Sequence, residues 1–230
     1  MLDLIIRNGK CYIDGELKEV DVAIKDKKIH QIGQISEEAK ETIDASGHTV
    51  LPGCIDTQTH FREPGSTDTE DLHTGSRAAI AGGITSVFEM PNTNPPTSNK
   101  KEFQRKLDLA KNRMYCNYAF YFGATAENAD DLASLKDLEG CCGIKLFAGS
   151  STGNLLVAEE DDIDKVFQNA SKVVAVHSED EAILKVNKQL IKQGDVHTHP
   201  VWRSAECAIS STRRIVRIAE KYNKKAHVLH

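Results

Sequence analysis

The chain has 230 residues, and its 29 basic against 34 acidic side chains leave a formal net charge of −5. With 40% hydrophobic and 27% charged residues, its composition excludes a disordered tail, a collagen-like fibre and a disulfide-stapled mini-protein. The mild acidity argues against a nucleic-acid partner, and no apolar run approaches the roughly 18 residues of a membrane span.

The start of the chain, MLDLIIRNGK, lacks the charged head and long apolar run of a signal peptide. The six cysteines are scattered without paired spacing. In a chain without an export signal, this pattern indicates reduced thiols and a cytoplasmic location.

Residues 1–52 are rich in short β-strand signals. Apolar pieces such as Leu4–Arg7, Asp21–Ile24 and Ile29–Ile32 are separated by turn pairs such as Asp14-Gly15. This spacing predicts hairpins in a small antiparallel unit without helices.

From residue 53 onward, strand and helix patterns alternate. The predicted strands are Val50–Asp56, Thr85–Met90, Cys116–Phe122, Gly143–Phe147, Val173–His177 and Ala226–His230. The predicted helices are Asp71–Ala81, Lys100–Asn112, Asn128–Leu135, Asp161–Ala170, Asp180–Gln193 and Ser204–Tyr222. Such alternation is typical of parallel βα units, either in an open doubly wound sheet or in a closed barrel.

The positions of the polar residues favour the barrel. Titratable side chains follow the ends of several strands, and barrel active sites are assembled at that edge. No G-x-G-x-x-G motif follows the first strand, which argues against a dinucleotide-binding fold. A complete (β/α)8 barrel needs eight units in about 250 residues. Six predicted strands therefore indicate an incomplete barrel over residues 53–230, and we expect the chain to be the N-terminal part of a longer protein.

Three of these strand-end residues are candidates for a metal site: Lys145, His177 and His230. The two histidines follow apolar runs, VVAVH and AHVLH, and imidazole is a common zinc ligand. The alternative is that each histidine is simply hydrogen-bonded in a core or loop. His227 competes with His230 for the role, and His197 and His199 fall in a segment that we expect to be a solvated loop.

Lys145 lies inside the apolar stretch Gly143–Phe147. A buried ammonium is costly, so the amine either extends to solvent along its aliphatic stem or becomes neutral. A neutral amine reacts with CO2 to give a carbamate, an anion whose two oxygens are suited to bridging two metal ions.

A second group of candidates lies around His60. Gln58 and His60 share one face of a strand. Arg62 follows on a loop and is suited to hold a substrate carboxylate. Asn92 lies in the rigid turn Met90–Pro96, which is alternatively no more than a turn fixed by its prolines.

The motifs HFREPG and MPNTNP, with GIKLFAGSSTG, AVHSEDE, HPVWRSAE and the final HVLH, identify a resemblance. The whole chain resembles the cyclic amidohydrolases of the amidohydrolase superfamily, and it is most similar to the dihydroorotases. Allantoinases and hydantoinases are similar in the glycine-rich segment but differ at the first two motifs.

This resemblance implies a metal-dependent barrel with a small N-terminal β-sandwich segment, and reversible cyclisation of N-carbamoyl-L-aspartate to dihydroorotate in pyrimidine biosynthesis. It implies that His60 binds one zinc, that carboxylated Lys145 bridges, and that His177 and His230 bind a second zinc. Arg62 and Asn92 would hold the substrate carboxylate. No catalytic residue is assigned here, because the general-base aspartate of the family is expected beyond residue 230.

Two departures from the family pattern leave other functions open. Gln58 stands where the family has the first histidine of His-x-His, and the eighth-strand aspartate is not among these residues. One or two zinc ions therefore remain possible. The alternatives to a dihydroorotase are a non-catalytic subunit that scaffolds aspartate transcarbamoylase, and a cyclic amidase of the hydantoinase or allantoinase type. We expect the 230 residues alone to be inactive and to associate, as a homodimer or with aspartate transcarbamoylase.

Overall fold

The first of two structural units, Met1–Cys54, is built from short strands. A computed structural model describes residues 1–151 and 153–230 of the chain. The second unit is Ile55–His230, so the division falls two residues after the sequence-based boundary. Thr152, which is part of the GIKLFAGSSTG motif, lies outside the described residues.

Two small sheets form in the first unit. Its strands are β1 Leu2–Arg7, β2 Lys10–Ile13, β3 Glu16–Glu19, β4 Asp21–Lys25, β5 Lys28–Gly33, β6 Ala39–Asp44 and β7 Thr49–Val50. The strand orders are β5-β4-β1-β6 and β3-β2-β7. The hairpins β2–β3 and β4–β5 are antiparallel, as predicted, and both residues of the Asp14-Gly15 and Asp26-Lys27 turns have positive φ. Two further pairs, β1–β6 and β2–β7, are parallel, which the local turn signals did not indicate.

In the second unit, strands and helices alternate. The strands are β8 Cys54–Thr59, β9 Ile84–Glu89, β10 Asn117–Gly123, β11 Cys141–Phe147, β12 Val174–His177 and β13 Ala226–Leu229. The α-helices are α1 Leu72–Ala81, α2 Lys100–Ala110, α3 Glu160–Asn169, α4 Glu181–Asn187, α5 His199–Trp202 and α6 Ala205–Lys221. These strands form one six-stranded sheet in chain order, β13-β12-β11-β10-β9-β8, and the registered pairs are parallel.

Side-chain alternation gives this sheet two different faces. Ile144, Leu146 and Val176 are fully buried in the hydrophobic core that contains helix residues such as Ile215 and Phe167. Strand neighbours point to opposite faces. Lys145 of β11 and His177 of β12 therefore project to the other face of the sheet, away from the helices.

Polar caps set the starts of several helices. Asp71 accepts the backbone N–H of Thr74 before α1, and Asn99 accepts that of Glu102 before α2. Each bond satisfies one of the N–H groups that a helix leaves open at its first turn. The predicted helix starts are thus local in origin.

Three predicted elements differ from the structure. Ala129–Leu135 is a 3-10 helix, and the predicted helix Asp180–Gln193 is instead α4 followed by the short 3-10 turn Lys188–Leu190. The predicted loop around His197 and His199 contains short helical turns, in which both histidines are exposed. Short 3-10 turns lack the sustained 3.6-residue period that sequence patterns reveal.

Within the described residues, no helix is long and apolar enough to cross a bilayer.

We predict that Gly75→Ala destabilises the protein. A Cβ atom at Gly75 of α1 would lie 2.5 Å from Cδ1 of the buried Phe61. Overpacking costs about 1–3 kcal/mol, and the better helix propensity of alanine recovers up to about 1 kcal/mol. We expect a lower urea midpoint of unfolding.

The matched control is Gly82→Ala, where the nearest atom, the Ala79 carbonyl oxygen, is 3.5 Å from the new Cβ. Its midpoint should stay close to that of the wild type. Equal midpoints for the two variants would contradict the prediction, because Phe61 would then move away from the new methyl group without cost.

Candidate metal and substrate site

The residues predicted from sequence gather at one edge of the six-stranded sheet. Lys145 lies within β11, two residues before its end, and the others end or follow β8, β9, β12 and β13, at the carboxyl ends of parallel strands. The set comprises His60, Arg62, Asn92, Lys145, His177 and His230. Electrostatic coupling indicates their proximity, because the charge of Lys145 lowers the pKa of His60, of His177 and of His230.

Lys145 is buried without a polar partner. Lys145 is only 1% exposed, and its Nζ has no hydrogen-bond partner among the described residues. The amine lies 4.6 Å from the centroid of the Phe147 ring. Desolvation lowers its pKa from 10.5 to about 7. Of the two alternatives for this lysine, the structure therefore shows the buried amine, with a large neutral fraction at pH 7, and not the extended stem.

His177 and His230 face each other across the ends of β12 and β13. His177 Nδ1 is 2.8 Å from His230 Nε2, and the ring centroids are 4.9 Å apart. His177 is buried, and desolvation is the main reason that its pKa and that of His230 are lowered. Both imidazoles are thereby kept neutral, which is the form that binds metal ions. His230, and not its competitor His227, is therefore the histidine that contacts His177.

His60, Arg62 and Asn92 form a second group. Burial and the charge of Arg62 lower the pKa of His60 to about 4, while a hydrogen bond with the Asn92 side chain acts in the opposite direction. Arg62 has a φ of 60°, a left-handed conformation that is uncommon for a side chain of this size. The loop therefore holds the guanidinium beside a neutral imidazole.

Gln58 does not complete a pair with His60. Its side-chain Nε2 lies 3.0 Å, and its Oε1 3.3 Å, from His230 Nδ1. β8 and β13 are the two edges of the sheet, so this contact joins residues 172 positions apart across the mouth of the curled sheet.

Sequence reasoning gave no role to Glu179 and Arg203, although both fall in quoted motifs. His177 Nε2 lies 2.6 Å from Glu179 Oε2, and Arg203 forms an ion pair with the same carboxylate. Arg203 also donates to the Ser150 carbonyl oxygen at 2.8 Å. A carboxylate on the far nitrogen of a histidine is the usual signal of an orienting partner, but only the fold shows that these residues meet.

A second buried ion pair was also missed. Glu89 at the end of β9 pairs with Lys106 of α2, and both side chains are almost completely buried. Lys106 donates to the Met90 carbonyl oxygen at 2.9 Å. Burial raises the pKa of Glu89 to about 7 and lowers that of Lys106. This pair fixes the turn that carries Asn92 against α2.

The arrangement supplies some, but not all, of the donors of a metal site. In the described ranges, no three His, Cys, Asp or Glu side chains are grouped so that they could hold an ion. Two imidazole nitrogens converge, and the unpartnered Lys145 amine lies near enough to influence both. Lys145 must therefore take part if these residues bind a divalent cation. His197 and His199 lie on a separate exposed turn, in Val196–Trp202.

Comparison with known proteins places this geometry in context. Residues 49–228 match the model of the Amidohydrolase family. The chain is 34% identical to a dihydroorotase of Methanosarcina mazei over all of its length and 51% of the relative. It is also 34% identical to an allantoinase of Escherichia coli, over 99% of this chain and 53% of the relative. The chain thus spans about half the length of these relatives, and overall identity does not distinguish the two substrates.

Solved structures agree on the fold. An L-hydantoinase (dihydropyrimidinase) from Arthrobacter aurescens superimposes with a TM-score of 0.92 at 27% identity, over the whole chain and 53% of that protein. A dihydropyrimidinase from Brevibacillus agri gives 0.85 at 27% identity, over the whole chain and 52% of that protein. The six strands therefore correspond to part of a TIM-type barrel, as the sequence predicted.

We predict that Lys145→Met stabilises the protein at pH 7 and that the gain shrinks as the pH rises. Between pH 7 and 10.5 the unfolded chain protonates Lys145 and the folded chain does not. Wild-type stability therefore increases through that window, by up to about 1.4 kcal/mol per pH unit relative to the variant. Urea unfolding in CO2-free buffer at pH 7, 8 and 9 measures the difference.

Lys165→Met is the control, because Lys165 is exposed on α3. Its difference from the wild type should not change with pH. A gap between wild type and Lys145→Met that is constant from pH 7 to 9 would contradict the burial of a neutral amine.

Proposed function

Because the chain belongs to the amidohydrolase family, we propose that it carries the site of a dihydroorotase. Such an enzyme closes N-carbamoyl-L-aspartate to dihydroorotate, and reopens the ring, in pyrimidine synthesis. The coarser assignment, a hydrolase of the cyclic amide type, follows from the relatives. The choice of substrate rests on the side chains at the rim of the sheet.

The observation that carries this choice is the position of Arg62 and Asn92 around His60. Arg62 is close enough for its charge to lower the pKa of His60, and Asn92 is hydrogen-bonded to the same ring. Dihydroorotate has a carboxylate next to its cyclic amide, whereas the hydantoin and allantoin rings have none. A guanidinium binds a carboxylate through two parallel hydrogen bonds, so Arg62 would anchor the substrate and Asn92 would orient it.

The donors that converge fit one divalent cation, which we propose to be zinc held by Lys145, His177 and His230. Lys145 would bind as a carbamate: its neutral nitrogen attacks the carbon of CO2, an N–C bond forms, and one proton leaves to water. The lowered pKa of the amine favours this reaction. As a carbamate, the buried side chain would have the cation as the partner that its Nζ lacks among the described residues.

The cation would supply a Lewis acid for the amide carbonyl. The chain's own residues do the rest. Arg62 and Asn92 fix the substrate against the rim, and the buried Glu89–Lys106 pair holds the turn that carries Asn92. His60, with its pKa of about 4, remains neutral at physiological pH and can accept a hydrogen bond without adding a positive charge.

A second cation at Gln58 and His60 is less well supported. An amide is a weak zinc ligand, and the Gln58 side chain is hydrogen-bonded to His230. We therefore propose a mononuclear site. The carboxylated-lysine bridge between two ions, expected from the family pattern, is replaced here by a carbamate that serves one ion.

Two other functions are the alternatives to be tested. Whole-chain identity is as high to the allantoinase as to the dihydroorotase, so the relatives support a cyclic amidase of the hydantoinase or allantoinase type equally. The loss of a histidine at Gln58 favours a non-catalytic subunit that scaffolds aspartate transcarbamoylase.

We predict that the whole protein containing this chain, loaded with zinc, hydrolyses dihydroorotate in preference to hydantoin and allantoin. Arg62→Met should lower kcat/KM for dihydroorotate roughly 100-fold, because two charge-assisted hydrogen bonds are lost. The kcat/KM of Arg62→Lys should lie between those of the wild type and Arg62→Met. Steady-state kinetics on the three substrates measure both effects, and the exposed Arg77→Met is the control.

Faster turnover of allantoin or hydantoin would replace the proposal with the other amidase. No turnover of any ring, together with binding to aspartate transcarbamoylase in gel filtration, would establish the scaffold instead.

A further inference from the structure

The neighbours of the two facing histidines determine which of their nitrogens carry protons. A neutral imidazole has one N–H and one lone pair, and the hydrogen bond at one nitrogen fixes the other. The Glu179 carboxylate lies 2.6 Å from His177 Nε2 and can only accept. His177 Nε2 therefore carries the hydrogen, and the lone pair of Nδ1 points at His230.

On His230 the corresponding neighbour is an amide. The Gln58 side chain presents both of its groups to His230 Nδ1, with Nε2 at 3.0 Å and Oε1 at 3.3 Å. An amide can donate through its NH2 group or accept through its oxygen, and a rotation about the last side-chain bond exchanges the two. A carboxylate can only accept, and an apolar side chain can do neither.

The donating and the accepting orientation of the Gln58 amide correspond to two states of the His177–His230 pair. In the structure, His230 Nε2 is 2.8 Å from His177 Nδ1, a distance that requires a hydrogen between the nitrogens. His230 Nε2 then carries the proton, and its Nδ1 accepts from the Gln58 NH2 group. For His230 to offer a lone pair from Nε2, the proton must move to Nδ1, where the Gln58 oxygen is the acceptor within reach.

We propose that Gln58 is a positioning residue that selects the tautomer of His230, and not a metal ligand. When it accepts from Nδ1–H, the lone pairs of His177 Nδ1 and His230 Nε2 face the same point, oriented by Glu179 on one side and Gln58 on the other. This inference rests on the proposed zinc site of Lys145, His177 and His230. Gln58 thus replaces a histidine ligand of the metal position at His60 and supplies an orienting partner to His230, a ligand of the other position.

Zinc binding without substrate tests this role in the whole protein. Loss of an orienting partner costs about 10- to 100-fold in metal affinity. Gln58→Leu should therefore bind zinc about 10- to 100-fold more weakly, by competition with a chelating dye, at an unchanged stoichiometry of one ion. Gln58→Glu retains an acceptor at Nδ1 and should restore most of the affinity. Gln168→Leu, at an exposed position on α3, is the matched control.

The imidazole nitrogen signals of 15N-histidine-labelled protein report the tautomer of His230 directly. A purely structural role of Gln58 would leave these signals unchanged. In the zinc-loaded wild type and in Gln58→Glu, His230 should show a protonated Nδ1 and a zinc-bound Nε2. In zinc-free protein no metal fixes the proton of His230, and there Gln58→Leu should lack the Nδ1–H form that Gln58→Glu retains, while the circular dichroism spectra are unchanged. His230→Ala identifies the signal.

Unchanged zinc affinity in Gln58→Leu, with equal fractions of the His230 Nδ1–H form in zinc-free Gln58→Leu and Gln58→Glu, would overturn the proposal. A fall in stoichiometry or a shift of the zinc-site signals to an amide ligand would show that Gln58 binds the metal directly, and a wild-type protein that takes up no zinc overturns the inference as well. Failure to hydrolyse dihydroorotate with the tautomer intact would overturn only the proposed substrate, since these measurements use zinc alone.

Discussion

The burial of a single amine, Lys145, governs the chemistry of the site. The strand β11 lies between β10 and β12 and carries Lys145 to the face of the sheet that the helices do not cover, where Nζ has no partner among the described residues. The cost of desolvation brings its pKa to about 7. Its residual charge also lowers the pKa values of His60, His177 and His230. One buried group therefore helps to keep every candidate imidazole neutral.

The polar pairs around this lysine position the loops at the rim. Glu89 and Lys106 join the turn after β9 to α2, while Arg203 holds the Glu179 carboxylate that contacts His177 Nε2. Breaking a buried pair leaves an uncompensated charge, so such pairs fix geometry more than they add stability.

Family and substrate are determined at different levels of this structure. An L-hydantoinase shares the sheet and its helices with this chain at a TM-score of 0.92, although the sequence identity is only 27%. The fold is common to several cyclic amidases, and function depends on the side chains placed on it. At the rim of this chain, Arg62 and Asn92 lie beside His60, and Gln58 stands where the family pattern has a histidine.

Local sequence determined the elements and the strand ends at which the candidate residues lie, because capping residues, turn pairs and the periods of 2 and 3.6 act over a few positions. It also identified Lys145 as anomalous in an apolar strand. Only the tertiary structure decided that Gln58 contacts His230, that Lys106 pairs with Glu89, and that Arg203 supports His177 through Glu179. These partners lie 172, 17 and 24 positions apart. No short-range pattern encodes such contacts, since they arise from the curl of the sheet and the packing of helices against it.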